Sequence, residues 1–365
     1  MVDTHTRLGP YVLLERLRRW AHGFVELAYD TSANRFVALK SLAARARTPE
    51  AAQRFSEEVQ LWRRLKHGHL LRLLDEGERE GDIWAAGEWL SGVDVDRLLE
   101  TARNTAALPP PAIAATLAAQ VGDALAFLHA LAITAQSEIA PRNLVVSFEG
   151  RAALVELGNL RFLGRITPLE IDPLLSPYIA PEVRRGEPPT PRSDTYSLGV
   201  LLWFLLTGAV HSGDPETGET KDRLRGQVRQ WRLDIEDDLL TVLWLALQEN
   251  PRHRFETTRE LKSALRAALE GGFSPTEEIG EYVKHLCETE RLRRETELAT
   301  WRLTYGKKES PEENVRTAML DHAPIPRPLP RTGGHKQIAP PRPRKSLYLI
   351  FILAALAAAL WYHLH

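Results

Sequence analysis

Short runs of β-branched and aromatic residues dominate the start of the chain. YVLLERL, FVELAYD and RFVALKSL occupy residues 11–17, 24–30 and 35–42, and turn-like residues separate the last two. Runs of this length and composition are typical of β-strands. The first part of the chain is therefore predicted to form a small β-rich unit.

A helical pattern of apolar residues follows. In TPEAAQRFSEEVQLWRRL, Phe55, Val59 and Trp62 recur on one helical face, with Thr48 as N-cap and Pro49 at the first helical position. Later helices are predicted for PAIAATLAAQVGDALAFLHAL, for SDTYSLGVLLWFLLTG with an Asp or Ser cap, and for DDLLTVLWLALQ. The order indicates an α+β fold with two lobes, at about 8–88 and about 92–270.

Residues 274–304 predict a helical appendage to this 8–270 domain. Ser274 and Pro275 suit a cap and a first turn, and Ile279, Val283 and Leu286 share one face. Apolar positions are not sustained over three heptads, so docking on the preceding domain is favoured over a coiled coil.

The segment 305–345 is predicted to be a flexible linker. Between residues 322 and 345 it holds seven prolines, six Lys or Arg residues and no acid. Such a sequence cannot pack a core, and its cations suit anionic headgroups. A ligand for a proline-recognising domain is the alternative.

An uncharged apolar stretch lies near the C-terminus, and residues 346–363 are predicted to be a transmembrane helix. LYLIFILAALAAALWY spans roughly 24 Å as a helix, extendable by the residues that follow. Aromatic residues at both ends and the preceding basic residues favour one span with the main domain in the cytoplasm, at the inner membrane. A buried C-terminal helix is the alternative. Three residues follow the stretch, which argues against an external sensor domain.

Composition adds little to this picture. The formal charge of −1 and the pI near 6.9 give no reason to expect nucleic acid as a partner. The single cysteine, Cys287, cannot form an internal disulfide, and the N-terminus has no signal-peptide pattern.

Several motifs occur in an order that resembles the bacterial serine/threonine protein kinases, over residues 8 to about 268. FVALK contains Lys40, RFSEEV contains Glu58, and GEWLSGVDVDRLL resembles the hinge. SPYIAPEVRRGEPPTPRSDTYSLGVLLWFLLTG resembles the end of the activation segment and the core helix, with Asp194, and NPRHRF supplies Arg254 as the expected partner of Glu182. The resemblance implies a two-lobed protein-kinase fold.

The phosphate-covering loop departs from the family pattern. That loop needs glycines so that backbone amides can approach phosphate oxygens. In RRWAHGFV, Arg18 and Trp20 stand at the first two glycine positions, while Gly23 remains. Arg18 and Arg19 could contact an anion there, and the alternative is that both are solvated surface residues.

The nucleotide slot is better retained. The resemblance implies an ion pair between Lys40 and Glu58, and an adenine slot lined by Val25 and Ala38. Glu88 would start the hinge. Gly87 stands at the gatekeeper position, where it is expected to enlarge the slot. ATP binding without a tight phosphate grip follows as an expectation.

The catalytic loop keeps the framework of the family pattern, but most of its functional side chains are replaced. In QSEIAPRN, Glu138 replaces the aspartate that orients the acceptor hydroxyl, Ala140 replaces the lysine, and Asn143 remains as a metal ligand. Gln136 and Ser137 replace the histidine and arginine.

The metal motif also carries a longer acid. Glu156, Leu157 and Gly158 stand where the family has Asp-Phe-Gly, so Glu156 and Asn143 are the candidate metal residues, with weak or absent binding of Mg²⁺ or Mn²⁺. A displacement of about 1 Å costs roughly 10²-fold, so two Asp-to-Glu changes predict roughly 10⁻⁴ to 10⁻² s⁻¹ for a kinase of about 1 to 100 s⁻¹.

In the activation segment, Leu175 stands at the substrate-side threonine position. Thr167 and Ser176 are candidate phosphorylation sites, or plain loop residues. Ser137 offers no arginine to receive a phosphate.

These changes favour a membrane-anchored pseudokinase that binds a protein partner, an active kinase or another signalling protein, with little or no phosphoryl transfer. A slow serine/threonine protein kinase that uses Glu138 as base is the alternative. A nucleotide or ligand sensor, acting through the slot widened at Gly87, is the third.

Overall fold

The fold is taken from a computed structural model. It describes residues 6–20, 23–43, 48–79, 81–134, 139–155, 161–162, 176–211 and 221–306, although not the side chains of Trp20, Arg161 and Phe162. The predicted linker and the predicted transmembrane helix lie outside the described residues.

A six-stranded antiparallel sheet forms the N-terminal lobe, with strand order β1-β2-β3-β4-β6-β5. The strands are β1 (Arg7–Leu8), β2 (Tyr11–Trp20), β3 (Gly23–Asp30), β4 (Arg35–Leu42), β5 (Leu73–Arg79) and β6 (Asp82–Glu88). The three strands predicted from the sequence are therefore confirmed.

Helix α1 (Pro49–Arg64) completes this lobe and confirms the predicted helix. It begins where predicted, since Thr48 is the N-cap and its hydroxyl accepts a hydrogen bond from the amide of Ala51 at 3.2 Å. Phe55, Val59 and Trp62 are buried in the core cluster that both lobes share.

The C-terminal lobe is mainly helical and is built around two long buried helices, α3 and α5. Its helices are α2 (Val95–Asn104), α3 (Pro111–Ala130), α4 (Pro181–Arg184), α5 (Pro191–Thr207), α6 (Lys221–Arg229), α7 (Asp237–Ala246) and α8 (Thr258–Ala267). The predicted α+β fold with two lobes is confirmed.

The start of α5 corrects one detail of the sequence analysis. The expected Asp or Ser cap is wrong, because Thr190 is the N-cap and Ser193 forms the other half of a capping box. Pro191 takes the first helical position, where its missing N–H costs nothing. The helix ends at Gly208 as predicted, with a φ of 68° that favours glycine.

Strands of two small sheets flank the predicted catalytic loop in the sequence. Strands β7 (Gly92–Asp94), β9 (Leu144–Ser147) and β10 (Ala152–Leu154) form an antiparallel sheet, and β8 (Ile133–Thr134) pairs with β11 (Arg161–Phe162). A 3₁₀ turn at Pro141–Asn143 leads directly into β9. The turn is therefore continuous with a strand of the three-stranded sheet.

Two further helices follow the kinase-like lobes: α9 (Thr276–Leu286) and α10 (Glu288–Tyr305). Helix α9 begins after Pro275, so the predicted cap at Ser274 is wrong by one position; the Ser274 amide donates instead to the Thr116 hydroxyl at 2.9 Å. Helix α9 packs on the C-terminal lobe, with Ile279 and Val283 fully buried.

Helix α10 continues to the N-terminal sheet. Its Leu298, Trp301 and Tyr305 pack against a cluster that includes Val12 and Tyr29. The appendage therefore contacts both lobes.

Among the described residues, only α3 is long and apolar enough to cross a membrane. About three quarters of its most apolar window, 72%, is buried inside the protein. Burial of this extent is typical of the core helix of a globular lobe.

Candidate nucleotide site

A buried ion pair lies between the N-terminal sheet and α1. The Lys40 ammonium on β4 is 2.5 Å from Glu58 Oε1 on α1, and both side chains are almost fully buried. Removing one partner of such a pair leaves a buried charge and costs about 3–5 kcal/mol. The predicted pairing of Lys40 with Glu58 is present in the structure.

The strand register places the other predicted slot residues beside this pair. Val25 on β3 lies opposite Lys40 on β4, and Ala38 lies opposite both Leu27 and Gly87. Gly23 lies opposite Leu42, at the start of β3. Residues opposite one another in a sheet share a face, so Val25 and Lys40 face the same space. The fold therefore brings these residues together, and their role toward a nucleotide stays a prediction.

The expected enlargement of the slot at Gly87 is wrong. A Cβ atom at Gly87 would lie 2.7 Å from the Trp62 indole and 3.0 Å from Leu71. The Trp62 side chain is buried, and its indole N–H donates to the Leu71 carbonyl at 2.6 Å. The space that the missing side chain leaves is therefore filled by the indole of α1.

Glu88 connects the two lobes through its side chain. Its carboxylate accepts a hydrogen bond from Arg151 at 2.5 Å and from the Arg72 amide at 3.3 Å. The Glu88 amide donates to the Arg72 carbonyl at 2.9 Å. The carboxylate is therefore directed toward Arg151, and a contact of Glu88 with nucleotide stays a prediction.

Asn143, the predicted metal residue of the catalytic loop, contacts the opposite lobe. It is 3% exposed, and its Oδ1 accepts a hydrogen bond from Arg18 Nη1 at 2.6 Å. Arg18 Nη2 donates to the backbone carbonyl of Arg142. Arg18 stands on β2 at a position where the kinase pattern has glycine. Its guanidinium reaches across the cleft to the C-terminal lobe.

Asp96, near the start of α2, lies in the same electrostatic neighbourhood. Partial desolvation raises the pKa of its carboxyl and Asp94 adds to the rise, while the charges of Arg142 and Arg18 oppose it. Arg18 and Arg142 therefore have an acidic neighbour, Asp96, on the C-terminal lobe.

The remaining predicted chemistry lies outside the described residues. This applies to Glu138 and Glu156, and also to Gln136, Ser137, Leu157, Gly158, Thr167 and Leu175. Their predicted roles stay predictions. Ser176 is described, at the start of a 3₁₀ turn that ends at Tyr178.

Comparisons with known proteins agree with this geometry. The protein kinase domain model matches residues 11–294. The chain belongs to the protein kinase family. Its kinase domain is 29% identical over 274 residues to the serine/threonine-protein kinase PknE of Mycobacterium tuberculosis, covering 72% of this chain and 47% of PknE.

A second relative and a solved structure extend the comparison. The tyrosine-protein kinase MasK of Myxococcus xanthus is 26% identical over 321 residues, covering 82% of this chain and 50% of MasK. The crystal structure of the Mycobacterium tuberculosis PknI kinase domain is 26% identical, with a TM-score of 0.54, covering 74% of this chain and all of that domain. The chain spans about half the length of the curated relatives PknE and MasK.

The ion pair that supports the activation segment of this kinase domain is also present. Arg254 donates to both Glu182 oxygens at 2.8 Å, and both side chains are buried. Burial raises the pKa of Glu182, but the hydrogen bonds and charge of Arg254 outweigh this effect, so the net shift is downward. The predicted partnership of Glu182 and Arg254 is confirmed.

A divalent cation on Asn143 would lie beside the Arg18 guanidinium in this arrangement. An amide oxygen has two lone pairs, and one of those on Asn143 Oδ1 already accepts a hydrogen bond from Arg18. At about 4 Å and an effective dielectric constant of about 20, a guanidinium and a dication would repel by about 8 kcal/mol. Within the described part of the chain, no cluster of three His, Cys, Asp or Glu residues could hold a metal instead.

The sequence analysis missed three functional contacts: the Trp62 indole beside Gly87, the Arg151 pair of Glu88 and the Arg18 contact with Asn143. Trp62 had a detectable signal, because it lies one helical turn after Glu58 and a small gatekeeper leaves room for a large neighbour. The arginine contacts join residues 63 and 125 positions apart. No local pattern reveals them.

Proposed function

We propose that this chain is an atypical serine/threonine protein kinase that binds ATP through Lys40 and Glu58 and transfers phosphate slowly to protein hydroxyl groups. The observation that carries the proposal is the buried pair at 2.5 Å between Lys40 and Glu58. In the kinase family this pair holds the nucleotide phosphates. The similarity to PknE supports serine and threonine as acceptors.

The altered residues set the expected rate. Lys40 would neutralise and orient the phosphates, Glu58 would hold Lys40 in place, and Glu138 would orient the acceptor hydroxyl. The longer Glu138 arm and the occupied Asn143 oxygen both act against rapid transfer. A rate of about 10⁻⁴ to 10⁻² s⁻¹ follows from two misplaced carboxylates.

The experiment uses the full chain in detergent micelles. Thermal unfolding with ATP and either Mg²⁺ or Mn²⁺ reports binding, and incorporation of labelled phosphate into the chain and into casein reports transfer. The proposal expects stabilisation together with slow incorporation on serine or threonine. Incorporation on tyrosine alone would contradict the acceptor assignment, which the similarity to MasK makes a necessary check.

Lys40→Met is the variant for this experiment, and incorporation is expected to be lost. Because this change removes the cation beside the Glu58 carboxylate, the double variant Lys40→Met/Glu58→Gln provides a form in which neither charge of the pair is present. Lys66→Met, at an exposed lysine that follows α1, is the matched control. Equal incorporation by the wild type and Lys40→Met would contradict the proposal.

A pseudokinase is the second candidate, and the contact between Arg18 and Asn143 favours it. In this case the domain would bind an active kinase or another signalling protein and alter the conformation of that partner. ATP-dependent stabilisation without incorporation, or no response to ATP, is its expected result. The third alternative, a sensor with a slot widened at Gly87, loses its structural reason because Trp62 fills that space.

We also propose a single membrane span at residues 346–363, with the kinase domain on the cytoplasmic face of the inner membrane. Ala355→Arg places a charge at the centre of the span and is expected to weaken insertion by about 2.5–3.5 kcal/mol. The measurement is resistance of the full chain to alkaline carbonate extraction from membranes. Thr332→Arg, in the linker, is the control, and equal extraction of both variants would contradict the span.

A further inference from the structure

The contact between Arg18 and Asn143 has a defined position relative to Lys40. Arg18 on β2 lies opposite Val25 on β3, and Val25 lies opposite Lys40 on β4. Directly opposed residues share a face of the sheet. Arg18 and Lys40 are therefore two cations on one face, on either side of Val25, about two strand spacings of roughly 4.8 Å apart.

The contact itself joins both lobes through two hydrogen bonds. Arg18 Nη1 donates to Asn143 Oδ1 at 2.6 Å, and Nη2 donates to the Arg142 carbonyl. A guanidinium has five N–H donors in a planar fork, and these contacts engage two of them. Arg18 can therefore hold Asn143 and still present a charged edge toward an oxyanion in the cleft.

Asn143 is itself fixed in place by its backbone. Its amide donates to the Ala140 carbonyl, and its carbonyl accepts from Val155, both at 2.9 Å. The residue is only 3% exposed, so its side chain is enclosed by the surrounding protein. In the kinase family the asparagine at this position holds a metal ion, and here the Arg18 guanidinium brings a positive charge to the same side-chain oxygen.

We propose that Arg18 replaces the divalent ion on Asn143, so that this kinase domain binds the triphosphate of ATP without needing a divalent cation. Lys40 and Arg18 supply the two positive charges, and Val25 lies between them. The inference rests on the nucleotide binding in the proposed function and makes no use of phosphoryl transfer.

The test is equilibrium dialysis of the full chain in detergent micelles with radiolabelled ATP, in excess EDTA and in millimolar Mg²⁺. The wild type is expected to bind ATP with dissociation constants that agree within about threefold in the two media. Arg18→Gln removes the charge at similar length and is expected to weaken binding in EDTA by about tenfold or more, since one charge-assisted hydrogen bond contributes about that factor. Binding of this variant is expected to recover in Mg²⁺.

Two further variants serve as controls. Arg19→Gln removes the neighbouring charge, which points to the opposite face of the strand because successive residues alternate, and both dissociation constants are expected to stay unchanged. Arg18→Lys retains the charge without the fork and is expected to bind in EDTA more tightly than Arg18→Gln. Thermal unfolding of each variant verifies that it is folded.

The possible results separate this inference from the proposed function. ATP binding by the wild type in Mg²⁺ alone would overturn the inference while the proposed function stood. Tighter binding of Arg18→Gln in EDTA would overturn it too, because Arg18 would then block the cleft. If the ratio of the ATP dissociation constants in EDTA and in Mg²⁺ were the same for Arg18→Gln as for the wild type, Arg18 would not contact ATP and the inference would be overturned. Wild-type chain that binds no ATP in either medium would overturn both the inference and the proposed nucleotide binding.

Discussion

At the level of single residues, a large side chain on α1 compensates for a missing one at the gatekeeper position. Trp62 fills the space that Gly87 leaves, and its indole N–H is satisfied by the Leu71 carbonyl. The indole N–H of a buried tryptophan usually finds such a partner. The glycine is therefore required for packing around Trp62, because the indole already fills the space that a side chain at this position would take.

The variant Gly87→Ala tests this packing. Its new methyl group would lie 2.7 Å from the Trp62 ring, so we expect the free energy of unfolding to fall by about 1–3 kcal/mol. In a Trp62→Leu background the same change is expected to cost less, with a coupling of about 0.5–3 kcal/mol. Urea unfolding measures both. Gly226→Ala, at a glycine with nothing within 4 Å, is the control and is expected to be neutral or slightly stabilising. If the effects of Gly87→Ala and Trp62→Leu on the free energy of unfolding were additive, the proposed packing of Trp62 against Gly87 would be contradicted.

His211 predicts a pH dependence of stability. Burial lowers the pKa of its imidazole from 6.5 to about 4, and the charge of Arg184 adds to the effect. The unfolded chain therefore binds this proton more readily than the folded chain, so the contribution to stability is complete above about pH 6.5 and is lost as the pH falls toward 4. The full effect is roughly 3 kcal/mol.

Replacing the imidazole tests this dependence. His211→Phe keeps an aromatic ring against Trp203, whose ring centre lies 5.0 Å away. We expect its unfolding free energy to fall less than that of the wild type between pH 6.5 and 5. Equilibrium unfolding in urea at several pH values is the measurement, with His285→Phe on an exposed part of α9 as control. Identical slopes for the wild type and His211→Phe would disprove the assignment.

At the scale of elements, α10 ties the appendage to the N-terminal sheet. Arg294 forms an ion pair with Glu15 on β2, and its guanidinium lies 5.8 Å from the centre of the Trp89 ring near the hinge. Leu298 and Trp301 pack on the same side of the helix. The helix therefore contributes to the stability of a lobe from which it is distant in sequence.

Trp301→Ala tests the docking of α10. The half-buried indole packs on the cluster around Tyr29, so we expect a loss of about 2 kcal/mol, below the about 3–5 kcal/mol of a fully buried aromatic residue. Leu303→Ala changes a side chain on the same helix that is 88% exposed, and is expected to stay within about 0.5 kcal/mol. Urea unfolding compares the two. Equal effects would show that α10 does not stabilise the sheet.

The elements also show what sequence patterns can and cannot predict. The helix at α1 and the strands β2 to β4 were predictable because apolar periodicity and a capping threonine are local signals. The cap of α5 was misassigned because Ser193 and Asp194 compete with Thr190 as capping residues in the same short segment. The docking site of α10 was not predictable, because that helix is mostly polar and contacts the sheet through a few side chains.

At the scale of the whole molecule, the two lobes are connected through side chains at several places. Glu88 pairs with Arg151 beside the hinge, Arg18 contacts Asn143 across the cleft, and α10 reaches the sheet from the C-terminal lobe. The relation to PknE and the PknI kinase domain explains the architecture. The Arg18 contact accounts for the departure from the family's glycine, and it is the reason to expect a cleft that is already charged before nucleotide binds.

The first-order rate of phosphate incorporation by the full chain at saturating ATP tests the proposed slow kinase directly. We expect about 10⁻⁴ to 10⁻² s⁻¹ for the wild type, with loss of incorporation in Lys40→Met and an unchanged rate in Lys66→Met. Incorporation that does not exceed the Lys40→Met background would contradict the proposed slow kinase and leave the pseudokinase. A rate near 1–100 s⁻¹, as in an ordinary kinase, would contradict the predicted effect of the altered carboxylates.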